Sequence, residues 1–191
     1  DRKAFAAAGW ELELLVVDGN SKDRTRATAE SKGARVLVEP RRGYGRAYKE
    51  GFAAATGEVI VTGDADGTYP FERAHEFVQI LLNEGLDFVN CDRYGNLEAN
   101  AMSRKHLFGN WVLSTTARLL FGIRLHDSQS GMWVIRRPAL AQVGIESLSE
   151  GMAFSQEVKI EFWKGAGLKT KEVSASLRAR IGTPVLASWR D

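Results

Sequence analysis

Short apolar runs alternate with longer amphipathic segments along the chain. Runs at 14–17, 35–38 and 59–62, and a further one starting at Phe88, are typical of buried strands, whereas 23–32, 43–55 and 72–83 have helical periodicity. Strands separated by helices of this length form parallel βαβ units with right-handed crossovers. The pattern therefore predicts an α/β fold with a Rossmann-like, mostly parallel sheet flanked by helices.

The second half of the chain is less regular. Its pattern predicts a long helix at 105–121, a strand at 132–135, a helix at 154–165 and a strand at 170–177. We expect the apolar side chains of the long helix, among them Trp111, Leu119 and Leu120, to lie in the core. No linker interrupts the sequence, so residues 1–191 are expected to form a single domain. Because the chain starts at Asp1 rather than Met, we expect it to be truncated, and the same is expected of its C-terminus.

Composition excludes several classes of protein. The chain has 26 Lys and Arg against 24 Asp and Glu, so a net charge of +2 gives no support for nucleic-acid binding. The single cysteine, Cys91, rules out a disulfide framework within the chain and favours a reducing, cytoplasmic setting. No apolar run reaches the length of about 18 residues that a membrane span needs.

Two aspartates follow the strand at 59–62 directly. Asp64 and Asp66 are one residue apart, and Gly63 and Gly67 flank them. Closely spaced carboxylates are hard oxygen ligands suited to Mg²⁺ or Mn²⁺, which commonly take their remaining ligands from a diphosphate. The alternative is a solvated acidic turn. Since ligands of α/β sheets bind beyond the carboxyl ends of the strands, the position favours a site.

Two further segments could contact a nucleotide. Asp18 ends the first strand and could accept hydrogen bonds from a base or ribose, or it could stabilise an ordinary turn before a helix. The basic, glycine-rich loop from Arg41 to Arg46, with Gly43 before a helix, could face a diphosphate. It lacks the spacing of a dinucleotide fingerprint, and a solvated basic loop is the alternative.

Other charged residues are candidates for the second substrate. A basic group around the fourth strand and the long helix could hold an anion or form a plain surface; it comprises Arg93, Arg104, Lys105 and His106. Asp127 and Glu157 could each act as general base for an incoming hydroxyl. The alternatives are that Asp127 caps a turn and that Glu157 lies on an exposed helix face.

Six segments of the chain contain motifs in a fixed order. Residues 16–25 resemble V-D-G-x-S-x-D-x-T, 42–57 resemble G-x-G-x-A…G…A-x-G, and 63–70 resemble D-A-D followed by Tyr-Pro. Residues 127–132 resemble D-x-x-S-G-F/M, a carboxylate, Glu157, lies on the following helix, and 180–182 resemble R-x-G. From about residue 13 to residue 190 the chain thus resembles the family 2 glycosyltransferases, in particular the dolichol-phosphate mannose synthase-like branch.

The resemblance implies a GT-A fold with a nucleotide-sugar half at about 1–92 and an acceptor half at about 93–191. The family's first strand would then precede residue 1. Donor contacts are implied for Asp18, Gly43, Arg46, Asp64, Ala65 and Asp66, with Asp64 and Asp66 also holding Mg²⁺ or Mn²⁺. Acceptor or phosphate contacts are implied for Arg93, Arg104, His106 and Arg180.

The implied reaction is inverting transfer of a sugar from a GDP- or UDP-linked donor to an acceptor, which we expect to be a polyprenyl or dolichyl phosphate. A phosphate monoester is already nucleophilic at neutral pH, whereas a hydroxyl acceptor would need a base, with Asp127 as first candidate and Glu157 as second. A lipid acceptor implies peripheral contact at the cytoplasmic face of a membrane. The alternatives are a sugar nucleotidyltransferase and a non-catalytic module that binds nucleotide sugars.

Overall fold

The computed structural model describes residues 2–97, 102–165 and 167–181. The strands are β1 (Leu15–Asp18), β2 (Arg35–Val38), β3 (Val59–Val61), β4 (Phe88–Leu97), β5 (Trp133–Arg136) and β6 (Thr170–Leu177). The helices are α1 (Arg2–Ala7), α2 (Thr25–Ser31), α3 (Tyr44–Ala54), α4 (Ala74–Asn83), α5 (Arg104–Phe121), α6 (Arg137–Leu140) and α7 (Phe154–Lys164). Short 3-10 helices occupy Phe71–Arg73 and Ile145–Ser147.

The main sheet has four strands in the order β3-β5-β4-β6. β5 is antiparallel to both of its neighbours, with Ile135 opposite Ile60 of β3 and Val134 opposite Val89 of β4. β4 and β6 are parallel. β3, β4 and β6 therefore run in one direction and β5 runs against them. The α/β prediction is confirmed, and the reversed strand is a feature that the periodicity did not indicate.

β1 and β2 form a separate parallel pair in which Leu15 lies opposite Arg35. Helix α3 packs closely on this pair, since a Cβ placed on Gly51 would lie 3.3 Å from a methyl carbon of Val17. Neither strand pairs with the four-stranded sheet within the described ranges. A further strand before residue 1, and the division of the chain near residue 92, therefore stay predictions.

Alternating side chains of the main sheet build two cores, one on each face. In β5, Val134 joins a cluster with Phe77 and Leu81 of α4, whereas Trp133 and Ile135 point the other way. The second cluster is completed by Phe154, Val158 and Phe162 of α7 together with Phe52 of α3. Because successive side chains of a strand point to opposite faces, a sheet covered on both faces requires apolar residues at consecutive positions, as in Trp133, Val134 and Ile135.

Helix α5 contradicts the expectation that its apolar side chains lie in the core. Trp111, Leu119 and Leu120 are all exposed. The helix contacts the rest of the protein through a narrow face on which Ser114 and Ala117 are buried, and small residues there permit close packing without covering the remaining circumference. No helix in the described part of the chain is long and apolar enough to cross a membrane.

Candidate active site

Asp66 follows β3 with one carboxylate oxygen bonded and the other left without a hydrogen-bond donor. Its Oδ1 accepts hydrogen bonds from the backbone nitrogen and the hydroxyl of Thr68, at 3.0 and 2.6 Å. Its Oδ2 is buried and accepts no hydrogen bond from the described residues, although a guanidinium nitrogen of Arg180 lies 3.0 Å away. A buried carboxylate oxygen without a donor is costly unless a cation or ligand supplies the missing interaction.

Asp64 lies beside Asp66 and is partly buried. Burial raises the pKa of Asp64 above its ordinary value of 3.8, and the charge of Asp66 raises it further, while Arg180 and Arg93 oppose the shift. Two carboxylates that repel each other are stabilised by a positive charge placed between them.

The residues at this position fit a divalent metal. Oδ2 of Asp66 has the Arg180 guanidinium nearby but no hydrogen bond, and the pKa of Asp64 is raised; a hard cation that takes oxygen ligands would satisfy both carboxylates. Within the described ranges no group of three or more His, Cys, Asp or Glu forms a complete metal cage. Asp64 and Asp66 would therefore hold such an ion only in part, which leaves coordination positions for a diphosphate or water.

Two tyrosines and a threonine hold Gly131 next to the acidic pair, and a third tyrosine, Tyr44, lies close to it. The backbone nitrogen of Gly131 donates to the Tyr69 hydroxyl at 2.6 Å, and its carbonyl accepts from Thr62 at 2.9 Å and from Tyr48 at 3.3 Å. A Cβ on Gly131 would lie 3.1 Å from the Tyr44 hydroxyl and 3.4 Å from Oδ2 of Asp64. The segment before β5 thus reaches the carboxylates only because residue 131 has no side chain.

Burial keeps these tyrosines protonated. It raises the pKa of Tyr69 to about 12, and it also raises the pKa values of Tyr44 and Tyr48, with nearby Asp64 adding to all three shifts. The sequence did not predict that these hydroxyls surround Gly131, because the pattern of apolar residues does not show what a tyrosine hydroxyl contacts.

The segment after β6 runs alongside the acidic turn. The backbone nitrogen of Arg178 donates to the carbonyl of Thr68 at 3.0 Å, and that of Ile181 donates to the carbonyl of Asp66 at 2.9 Å. These bonds place the Arg180 guanidinium at the Asp66 carboxylate. Gly182, the last residue of the R-x-G segment, lies outside the described residues.

Asp18 lies at the end of β1 with its carboxylate already bonded. Oδ2 accepts from the Arg26 guanidinium at 2.6 Å and from the backbone nitrogen of Ser21 at 3.1 Å. Burial raises the pKa of Asp18, but the hydrogen bonds from Ser21 and Arg26 outweigh it, so the pKa is lowered overall. Asp18 is therefore an ionised acceptor at neutral pH.

The glycine-rich loop lies against the turn before α7. Gly43 has φ of 151°, and a Cβ there would lie 2.7 Å from the carbonyl oxygen of Glu150. The Arg46 guanidinium pairs with the carboxylate of Glu150, while its buried Nε finds no acceptor in the described part of the chain. Close packing of two backbone segments thus explains the glycines, and a nucleotide contact by Gly43 or Arg46 stays a prediction.

Asp127 is fully buried and bonded at both oxygens. Arg93 donates to it through Nε at 2.7 Å, through a terminal guanidinium nitrogen at 2.8 Å and through its backbone nitrogen at 3.1 Å. Burial raises the pKa of Asp127, but Arg93 and the charge of Lys159 more than offset it, and the pKa is lowered. Neither member of this pair has a free charge: Asp127 is a poor proton acceptor in this geometry, and Arg93 is poorly placed to bind an anion.

Two groups that the sequence did not single out hold the Asp127 loop. Glu172 of β6 accepts from the backbone nitrogens of His126 and Asp127, at 2.6 and 2.7 Å. Lys159 of α7 is completely buried and donates to the carbonyl of Ser128 at 2.8 Å. Burial lowers the pKa of Lys159 and raises that of Glu172. The sequence offered no signal for Lys159, because its burial depends on how α7 packs against the Asp127 loop.

The remaining predicted residues lie in two different settings. Glu157 accepts from the backbone nitrogen and the hydroxyl of Ser149, at 2.6 and 2.5 Å, so it stabilises the turn before α7. Arg104 and His106 lie in the exposed first turn of α5, where Ser103 caps the helix. Ala65 lies between the two aspartates and is exposed.

Comparison with known proteins identifies the family. The sequence model described as Glycosyl transferase family 2 matches residues 5–144. A dolichyl-phosphate hexose transferase of Haloferax volcanii is 35% identical over 170 residues, which cover 89% of this chain and 72% of that protein. A low-salt glycan biosynthesis hexosyltransferase of the same organism is 32% identical over 182 residues, covering 94% of this chain and 43% of that protein.

Solved structures give the same fold. Glucosyl-3-phosphoglycerate synthase from Mycobacterium tuberculosis, in complex with Mn²⁺, UDP-glucose and phosphoglyceric acid, has a TM-score of 0.67 at 23% identity, covering 91% of this chain and 62% of that chain. The chain thus spans less than two thirds of several proteins that it resembles. The predictions of a GT-A fold and of a glycosyltransferase are confirmed. The family match covers most of the chain, which therefore belongs to glycosyl transferase family 2.

Proposed function

We propose that this chain is the catalytic part of an inverting glycosyltransferase that transfers a sugar from a nucleotide-sugar donor to a polyprenyl or dolichyl phosphate. The observation that carries the proposal is the acidic pair at the end of β3. Asp66 keeps a buried carboxylate oxygen without a hydrogen-bond donor, beside an Asp64 whose pKa is raised. Such a pair fits a site that takes up Mg²⁺ or Mn²⁺ with its substrate.

On the donor side, Asp64 and Asp66 would hold the metal, and Arg180 would place a fixed positive charge beside them. A divalent cation bound there neutralises the charge that develops on the departing nucleoside diphosphate. Asp18 is an ionised acceptor suited to a ribose or base. The glucosyl-3-phosphoglycerate synthase structures, which contain Mn²⁺ and UDP-glucose, support a nucleotide-sugar donor.

Weaker support exists for the other donor contacts. Ala65 lies between the two carboxylates, and Gly43 and Arg46 lie at the start of α3. We keep all three as proposed donor contacts, with Arg46 able to reach a diphosphate only by leaving Glu150.

The surroundings of the two candidate bases favour a phosphate acceptor. Asp127 is bonded to Arg93 at both oxygens, and Glu157 is bonded to Ser149. A hydroxyl acceptor needs a free base, whereas the second pKa of a phosphate monoester is about 6, so it attacks without one. The dolichyl-phosphate hexose transferase among the relatives supports the same acceptor class.

The acceptor would lie on the side of residues 93–191, with the donor on the side of residues 1–92. Arg104 and His106 are exposed and make no ion pair with other described residues, so they are available to an anionic acceptor. Arg93 is instead bound to Asp127 and would act by holding the loop in place. We place the reaction at the cytoplasmic face of a membrane, where a lipid phosphate is accessible.

The donor and metal are tested together by thermal denaturation. The protein is heated with UDP, GDP, UDP-glucose or GDP-mannose, each with and without Mn²⁺. A ligand that binds only the folded state at a hundred times its Kd adds about 2.7 kcal/mol of stability, which raises the Tm by several degrees. We expect such a rise only when one nucleotide and the metal are both present.

The matched variants are Asp66→Asn and Glu146→Gln. Asp66→Asn keeps the shape of the side chain but removes the charge, so it abolishes the metal-dependent shift. Glu146 is an exposed carboxylate in a 3-10 helix away from the site, so its variant behaves like the parent protein. Absence of any nucleotide-dependent shift in the parent protein would overturn the proposal. Transfer to a short-chain polyprenyl phosphate, followed by mass spectrometry, then tests the acceptor.

A further inference from the structure

Helix α5 carries an apolar face that no described part of the protein covers. Phe108, Trp111, Val112 and Leu119 are spaced at i, i+3, i+4 and i+11, which places them on one side of the helix. Their exposed fractions are 66% for Phe108, 58% for Trp111, 38% for Val112 and 80% for Leu119. The rings of Phe108 and Trp111 stack on each other with centroids 6.0 Å apart, so they form one continuous aromatic surface.

The charges on α5 itself and on its flanking residues are of one sign. Residues 102–126 contain no Asp or Glu, although the whole chain has 24 of them. The same stretch contains Arg104 and Lys105 in the first turn of α5, Arg118 in its last turn and Arg124 just beyond it. Basic residues at both ends of an exposed apolar helix complement a surface that is apolar inside and negatively charged outside.

We propose that α5 docks on the surface of an anionic lipid bilayer, with Phe108 and Trp111 inserted at the level of the headgroups. Aromatic side chains favour this interface, and an 18-residue helix lying parallel to the bilayer needs no span of the hydrocarbon. A second protein would be expected to offer acidic partners to Arg104 and Lys105 at defined positions, whereas lipid headgroups supply the charge anywhere along the helix.

The helix is attached to the candidate site. The hydroxyl of Ser114 on the buried side of α5 lies 3.1 Å from the hydroxyl of Ser128 and accepts from the backbone nitrogen of Ser128 at 3.0 Å. Ser128 follows Asp127 in the segment that leads to Gly131 and the acidic pair. Docking of α5 would therefore hold the site against the bilayer that contains a lipid-phosphate acceptor. This part rests on the proposed function, whereas binding of α5 to lipid does not.

The test is co-sedimentation with vesicles of phosphatidylcholine and phosphatidylglycerol in about a two-to-one ratio, without donor or acceptor. Phe108→Ser combined with Trp111→Ser should lower the bound fraction at least tenfold, since it removes the inserted apolar area. Leu82→Ser combined with Met152→Ser removes exposed apolar side chains elsewhere and should leave binding unchanged. Circular dichroism confirms that each variant is folded, which is expected because all four side chains are exposed.

A second arm tests the charge. Arg104→Gln combined with Lys105→Gln should weaken binding severalfold at low salt, and vesicles of phosphatidylcholine alone should bind the parent protein less. Lys22→Gln combined with Lys32→Gln changes the net charge equally at exposed positions on either side of α2, and should have little effect.

The outcomes separate the two proposals. A parent protein that binds no vesicles, or a Phe108→Ser, Trp111→Ser variant that binds as the parent does, overturns the docking inference, even if nucleotide and metal still stabilise the protein. Conversion of a dimer into a monomer by the same variant, without vesicle binding, would also overturn it and assign the face to a second copy. Vesicle binding without any nucleotide-dependent shift supports docking and counts against the proposed function.

Discussion

Two carboxylates lie near the same edge of the main sheet in opposite surroundings. Asp127 is fully buried and accepts four hydrogen bonds, three from Arg93 and one from the backbone nitrogen of Gln129. Asp66 is also largely buried, yet one of its oxygens has no donor within the described ranges. Since folding favours paired carboxylates, the difference fits Asp127 as a stabiliser of the loop and Asp66, whose Oδ2 has only the Arg180 guanidinium beside it, as the carboxylate that we propose for ligand binding.

The comparison is tested most strongly by Asp127→Asn. Removing the charge leaves the Arg93 guanidinium buried without its counter-ion, and breaking a buried pair in this way costs about 3–5 kcal/mol. We expect a large fall in the free energy of unfolding, measured by urea denaturation. A loss below 1 kcal/mol, about the value of an exposed pair, would contradict the assignment.

Asp66→Asn should give the opposite result. Removing the charge weakens the partly exposed ion pair with Arg180 but relieves the repulsion on Asp64, so the two effects oppose each other and stability should stay within about 1 kcal/mol of the parent. Sugar transfer should fall at least about a hundredfold, because electrostatic stabilisation of the leaving group is lost. Transfer rates and urea denaturation curves measured on the same preparations test this prediction. An Asp66→Asn variant that keeps the parent's activity would contradict the contrast between Asp66 and Asp127.

Gly131→Ala tests whether the loop before β5 is as close to the acidic pair as the structure shows. The added methyl group would crowd the Tyr44 and Tyr69 hydroxyls and Asp64, at 3.1, 3.3 and 3.4 Å. We expect a loss of about 1–3 kcal/mol, as for other overpacked positions. Gly151→Ala is the control, because a Cβ there would contact nothing within 4 Å. Equal stabilities of the two variants would show that the loop can move away.

The smallest effect concerns pH. The folded-state pKa of Asp127 is lowered below 3.8, so its ionised form stabilises the fold above that pH, and this contribution disappears as the pH falls through the lowered value. The difference in unfolding free energy between the parent protein and Asp127→Asn should therefore narrow below pH 3.8. Urea curves collected across that range measure it. A difference that widens on acidification would mean that the pKa is raised.

The sequence predicted all six strands, the four longest helices and α2, because their apolar patterns are local, but it did not predict the short helices α1 and α6. β2 and β6 have the predicted bounds, and most others differ by one residue. The segment predicted as one helix at 72–83 instead starts with a 3-10 turn at Phe71–Arg73, where the Phe71 ring packs over Gly63. The reversed direction of β5 could not be predicted, since a strand's own pattern is the same in either direction.

The candidate site was predicted in part for a similar reason. Asp64 and Asp66 were identified because they are adjacent in sequence and follow a strand. The pairing of Asp127 with Arg93 joins residues 34 apart, and the contact of Glu172 with the Asp127 loop spans 45 residues. Such partners depend on tertiary structure, so the sequence could not show that Asp127 and Arg93 pair with each other, and their roles in the reaction stay predictions.

The reversed strand also determines how far α5 can be from the acidic pair. Because β5 runs against β3, the chain meets the carboxyl edge of β3 on its way into β5, directly after α5. Only five residues separate the end of α5 from Asp127, and a chain of that length extends at most about 20 Å. A molecule lying against the last turn of α5 is therefore no further from the Asp127 loop than about the length of one extended lipid chain. Inserting residues into the 122–126 connection would allow the distance between α5 and that loop to increase.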